Sequence, residues 1–160
     1  MSGELKVSGR ERLQENRGEY GDVNDQYEDF AEEVEEARPI MEKVQGADSD
    51  TQEVTERGKQ EATDIAREKT EEMSEKKGKI DENTQALSNE MKGYGEKESE
   101  NAETASGMSG SFSGVGAEMT RSFQESAEEF HSISQDGEQL QEESNSRFEA
   151  TKSRANVDFR

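Results

Sequence analysis

Cysteine and tryptophan are missing from this 160-residue chain, and proline and histidine occur once each. Without cysteine there is no disulfide and no thiolate metal site, an absence that suits an exported chain as well as a cytosolic one. A lone proline disfavours a loop-rich fold and favours long uninterrupted helices, because proline breaks helix hydrogen bonding. Hydrophobic residues make up 26% of the chain and no apolar run exceeds three residues, so no transmembrane segment is expected. The opening "MSGELKVSGRERLQENRGEY" has no apolar core of a Sec-type signal peptide, so any export takes another route.

What the chain has in excess is acid. Forty acidic residues stand against twenty basic ones, for a formal charge of -20. This composition borders on that of disordered chains, which bury too little apolar surface to offset the entropy of ordering. It also repels phosphate backbones, which argues against nucleic acid as a partner. The acid is spread along the whole length, so this is not a globular domain with an acidic tail. A high-salt habitat is one source of such acidity.

The few apolar residues are placed at helical spacing. Tyr20, Val23, Tyr27, Phe30, Val34, Ala37, Met41 and Val44 alternate steps of 3 and 4, and Leu13 extends the row one heptad back. This is a coiled-coil seam, the pattern that two packed helices require. Ser8 and Glu11 form a possible capping box at its start. Pro39 is expected to kink the helix or end its straight part near Ala37.

In "KVQGADSDTQEV" a stop signal at Gly46 meets a start signal at Asp50 and Glu53, which reads as a tight turn between helices. A second helix then carries Ala66, Met73, Ile80, Leu87 and Tyr94 every seven residues. Its companion row, taken as Ala62, Lys69, Lys76, Asn83 and Glu90, is poor. Residues 106–116, "SGMSGSFSGVG", have linker composition. A third segment resumes the seam with Met119, Phe123, Phe130, Ile133 and Leu140. At an offset of 96 it resembles the first, with "AEEV" at 31–34 falling on "AEEF" at 127–130, although acidic heptad helices share much of this by construction.

The expected fold is all-α: a long antiparallel helical hairpin over 1–105, with helices at about 9–45 and 51–104, then a linker at 106–116 and a C-terminal helix at 117–160. The hairpin alone is marginal. A third helix, a second copy or another helical protein must supply apolar surface, giving a three-helix bundle or an oligomer, and the seam is the expected contact.

Enzymatic chemistry is not visible. Solitary His131 has no partner for a nucleophilic triad. The glutamates of "EEVEEA" (32–37) and "QEES" (141–144) read as solvated helix faces, and "DSD" (48–50) lacks the glycine and terminal glutamate of a calcium loop. No catalytic residue, metal site or cofactor is expected.

Residues 86–105, "ALSNEMKGYGEKESENAETA", lead from Leu87 and Met91 into Tyr94, with Glu98 four residues on. Together with the turn near residue 46, the flanking heptad helices and the missing Sec signal, this resembles the WXG-type (ESX) superfamily of type VII secretion substrates. In that family a helical hairpin ends in a Tyr-x-x-x-Asp/Glu export signal. The resemblance covers residues 1–105 and implies that Tyr94 and Glu98 form the export signal. It further implies a secreted, non-enzymatic protein, a substrate or partner of a larger effector. The chain departs from the pattern at the turn, where no Trp-x-Gly stands, and in residues 106–160, which lie beyond the hairpin. Two other readings need less: a coiled-coil structural or assembly protein, which uses the seam without the signal, and a hydrophilic stress protein, suggested by the Lys/Glu/Ala/Thr flavour of residues 58–80.

Overall fold

A computed structural model describes residues 2–44, 52–108 and 114–156. Three helices account for nearly all of them: α1 (Ser2–Val44), α2 (Gln52–Met108) and α3 (Val115–Ala155). The protein is an all-α three-helix bundle. The turn at Gly46, Asp48 and Asp50 lies outside the described residues, as does the side chain of Val44.

The helices run further than the sequence signals suggest. α1 starts at Ser2, ahead of the capping signal at Ser8, and continues through Pro39 to Val44. Proline costs the helix the bond that its missing N–H would give to the carbonyl of Glu35, but neighbouring bonds carry the helix on. The expected linker is shorter too. Helix α2 holds through Ser106 to Met108, and α3 begins at Val115. Gly114 adopts a φ of 110°, open to glycine at little cost, and its carbonyl accepts the Glu118 N–H at 3.2 Å to start α3.

The chain divides into two compact units, and each helix contributes to both. The first comprises Met1–Gly18 and Asp81–Glu142. Here α1 and α3 run parallel, with Ser2 against Ser126 and Lys6 against Glu129, while α2 runs antiparallel, with Arg12 on Glu90 and Asn16 on Thr84. Leu13, Leu87, Met91, Phe130, Ile133 and Leu140 form its core. Two glycines permit close helix approach. A Cβ on Gly9 would stand 2.5 Å from Met91 Sδ, and one on Gly137 would stand 2.3 Å from Ser88 Oγ.

The second unit comprises Glu19–Ile80 and Glu143–Arg160 and repeats the same up-down-up order. Tyr20, Val23, Tyr27, Ala31, Val34, Ala66, Met73, Ile80 and Phe148 are buried in it. At its centre the Tyr27 and Phe148 rings lie 4.9 Å apart at 40°, and Tyr27 Oη donates to Thr70 Oγ1 at 3.1 Å. Asn24 Nδ2 donates to Ser144 Oγ at 3.1 Å, linking α1 to α3. Lys77 is buried with its ammonium 5.9 Å from the Tyr20 ring centroid and 5.6 Å from that of Phe148, donating to Asn145 Oδ1. Facing aromatic faces attract a cation and repay part of its desolvation.

Three readings of the seam need correction. Phe30, Ala37 and Met41 are only half-buried; at Phe30, Ala31 takes the inner position one residue on, where the step after Tyr27 is 4 rather than 3. Phe123 is half-buried and Met119 exposed. The companion row of α2 sits one residue later than its apolar content suggested. The side chains turned inward are Thr63, Thr70, Lys77, Thr84 and Met91, whereas Lys76, Asn83 and Glu90 are exposed.

The corrected register ranks the two phenylalanines that heptad spacing treats alike. Phe130→Ala should cost about 3–5 kcal/mol in denaturant unfolding, as a large core side chain does. Phe30→Ala should cost about 1 kcal/mol, as a half-exposed one does. Equal losses would contradict the assigned inner row.

Candidate recognition surface

The two residues of the candidate export signal fall in the first unit, one turn apart on α2, where positions i and i+4 share a face. Both are half-buried. The Tyr94 ring rests on Phe130 of α3, with centroids 5.5 Å apart at 44°. Its hydroxyl donates to Glu90 Oε1 at 3.2 Å, and Glu90 Oε2 accepts from Arg12 of α1 at 2.7 Å. Tyr94 is thus the last member of a polar chain from α1 across α2. The hydrogen bond from Arg12 holds the Glu90 carboxyl below the usual carboxylate range, and the hydrogen bond to Glu90 pushes the Tyr94 phenol up. Glu98 does not join that chain; its Oε2 is buried without a hydrogen-bond partner. The Lys97 ammonium lies 5.9 Å from the Tyr94 ring centroid, and a Cβ on Gly95 would stand 2.9 Å from the His131 ring of α3.

Of the seam residues, Tyr20, Val23, Tyr27, Val34, Met73 and Ile80 are buried in the second unit, where Tyr27 meets Phe148 of α3, and Leu87, Phe130, Ile133 and Leu140 are buried in the first, where Phe130 meets Tyr94 of α2. The apolar surface that the hairpin requires is supplied by the chain's own third helix. Sequence reasoning missed polar members of the interior, among them Asn16, Asn24, Lys77, Thr84, Ser88 and Ser144. Hydrophobic spacing carries no signal for them.

Basic residues tie the helices together. In the second unit Arg147 forms a fork on Glu28 at 2.6 and 2.7 Å and reaches Asp25 at 2.6 Å, while Arg154 grips both oxygens of Glu35 at 2.9 and 3.0 Å. In the first, Lys6 and Arg10 share Glu129 at 3.2 and 3.7 Å. Along α2, Lys69 and Lys76 flank Glu72 at 2.8 and 2.7 Å and hold its carboxyl at about 2. The glutamates of "EEVEEA" therefore divide: Glu35 belongs to an ion pair, and Glu32, Glu33 and Glu36 face solvent. Among the described residues no three histidine, aspartate or glutamate side chains converge as metal ligands, and no helix is long and apolar enough to cross a membrane.

Compared with protein-family models, with curated proteins and with solved structures, the chain finds no match in any of the three.

The ion pairs set a pH dependence. Hydrogen bonding by Arg147 holds Glu28 below its ordinary value. A carboxyl lowered by folding stabilises the native state above its unfolded pKa, and that contribution is lost as pH falls through the lowered folded value. Replacing Arg147 by Gln should cost on the order of 1 kcal/mol at pH 7, the upper end for exposed pairs. Urea unfolding should show the gap between variant and parent closing below about pH 4. A gap unchanged at pH 3 would mean that Arg147 acts through packing alone.

Proposed function

We propose that this protein is a non-enzymatic helical cargo or adaptor of a type VII secretion system, read by the export machinery through the α2 edge that carries Tyr94 and Glu98. The carrying observation is the geometry of that edge. Tyr94 and Glu98 lie one helical turn apart on α2, and the tyrosine ring is fixed from behind by Phe130 and laterally by Glu90. A rigid aromatic held in place costs little entropy when a receptor engages it. The hairpin-like pairing of α1 with α2 within each unit agrees with the layout that the resemblance implies.

In this reading the work of the protein is recognition, with secretion by a non-Sec route. The acidic surface keeps the bundle soluble and turns away polyanions. Helix α3 stands where a helical partner would otherwise pack, so the chain carries its own cover for the hairpin seam.

A second reading, a subunit of a larger assembly, is favoured by one observation. Ile40, Val54 and Ile65 are exposed in the second unit, and isolated apolar side chains on so hydrophilic a chain suit a contact with another protein.

The test uses a host that carries a type VII secretion apparatus. Tyr94→Leu and Glu98→Gln should each abolish appearance of the protein in the medium while the circular dichroism spectrum of the purified variant stays helical. Export of both variants at the parent level would remove the secretion reading and leave assembly.

A further inference from the structure

Helix α3 is held differently along its length. In the first unit it buries Ala127, Phe130, Ile133 and Leu140. In the second unit its inward row is Ser144, Phe148, Thr151 and Ala155, so Phe148 is the one large apolar side chain that its described residues place there. Thr151 Oγ1 donates to the Arg147 carbonyl of its own helix at 3.1 Å. Two bonds to other helices, Asn24 to Ser144 and Lys77 to Asn145, sit at the first turn of this part.

Where apolar contact is sparse, charge complementarity is strong. Residues 143–155, "ESNSRFEATKSRA", carry three bases and two acids in a chain of net charge -20. They lie against the stretch of α1 that reads "EYGDVNDQYEDFAEEVEE" (19–36), which holds nine acids and no base. Across this contact Arg147 reaches Glu28 and Asp25 at 2.6 Å, and Arg154 reaches Glu35 at 2.9 Å. Arg147 and Arg154 are one heptad apart, as are Glu28 and Glu35, so the pairs form a ladder along the helices. The two arginine side chains are 41% and 40% exposed, which leaves the ladder open to screening by dissolved ions.

We infer that residues 143–155 of α3 form an electrostatic strap over the α1–α2 pair of the second unit, one that opens when its charge attraction is screened while α3 stays packed in the first unit. Closed is the resting state, with Phe148 on Tyr27 and the ladder made. Segments with few buried apolar contacts are the ones that open locally, below the cost of global unfolding. Opening parts Phe148 from Tyr27 and bares an apolar row that the closed state buries, Tyr20, Tyr27 and Met73 among it. Exposure of that row keeps the open form a minor population and drives the strap to close again. The inference concerns the fold's own motion and does not depend on the secretion reading.

Amide hydrogen exchange on the full chain tests this by comparing residues 143–155 with residues 127–140 of the same helix. The comparison is internal, so any effect of salt on the whole bundle is shared by both segments. Between about 0.01 M and about 1 M sodium chloride the Debye length falls from about 30 Å to about 3 Å. Exposed pairs each shift such an equilibrium by up to about fivefold, so exchange at 143–155 should rise about tenfold relative to 127–140. Arg147→Gln with Arg154→Gln should exchange fast in this segment already at low salt and lose the salt dependence. Arg147→Lys with Arg154→Lys keeps the charge and should keep the salt dependence. Equal changes in both segments would show that α3 opens as one piece and overturn the proposal. A salt-independent 143–155 in the parent would show that packing alone holds the segment, and would overturn it as well. The parent alone decides between these outcomes, so a variant that fails to fold leaves the test intact.

Discussion

The closing of α3 onto the α1–α2 pair is the contact on which this protein depends. A chain with 26% hydrophobic residues and a charge of -20 cannot hold two bare helices together with one thin seam. The third helix brings Phe130 onto Tyr94 in one unit and Phe148 onto Tyr27 in the other. Each aromatic contact buries far more apolar area than the alanines and threonines around it, so a few large side chains stabilise long stretches of helix. Around them small residues let the helices approach, with Gly137 against Ser88 and Gly9 against Met91.

The charge excess shapes how the remaining residues are used. Arg12, Arg147, Arg154 and Lys6 reach from one helix to another, where a cation relieves acid on both sides. Inside, the bundle tolerates polar pairs because they bond to each other: Asn16 with Thr84, Asn24 with Ser144, Tyr27 with Thr70, Lys77 with Asn145. Buried polar pairs contribute little net stability, but they penalise any slipped register that would leave them unmatched. In a bundle whose helix faces are so alike, that penalty selects one arrangement.

Much of the backbone was legible in the spacing of apolar residues. Leu13, Tyr20, Val23, Tyr27 and Val34 mark the inner row of α1, and Ala66, Met73, Ile80 and Leu87 mark one row of α2. The other row of α2 was not legible. A heptad allows its companion three or four residues on, and Thr63, Thr70, Lys77 and Thr84 give no hydrophobic signal to decide between them. Ala31 displaced Phe30 for a related reason: helix packing accepted the smaller side chain where the step lengthened. Composition around residues 106–116 suggested a break, yet serine and glycine held the helix to Met108. For the recognition surface, sequence placed Tyr94 and Glu98 on one helical face. It carried no sign that the tyrosine hydroxyl turns to Glu90.

A bundle that completes its own core leaves its edges for recognition, and the α2 edge proposed above lies there. The whole account requires that α3 pack beside α1 of the same chain. Pulsed electron resonance between spin labels at Glu32 and Ser153, both exposed in the second unit, measures that directly. Packed helices about 8–10 Å apart predict one short, narrow distance that survives dilution. A broad, long distribution in the dilute monomer, or a short distance that appears only as concentration rises, would contradict it.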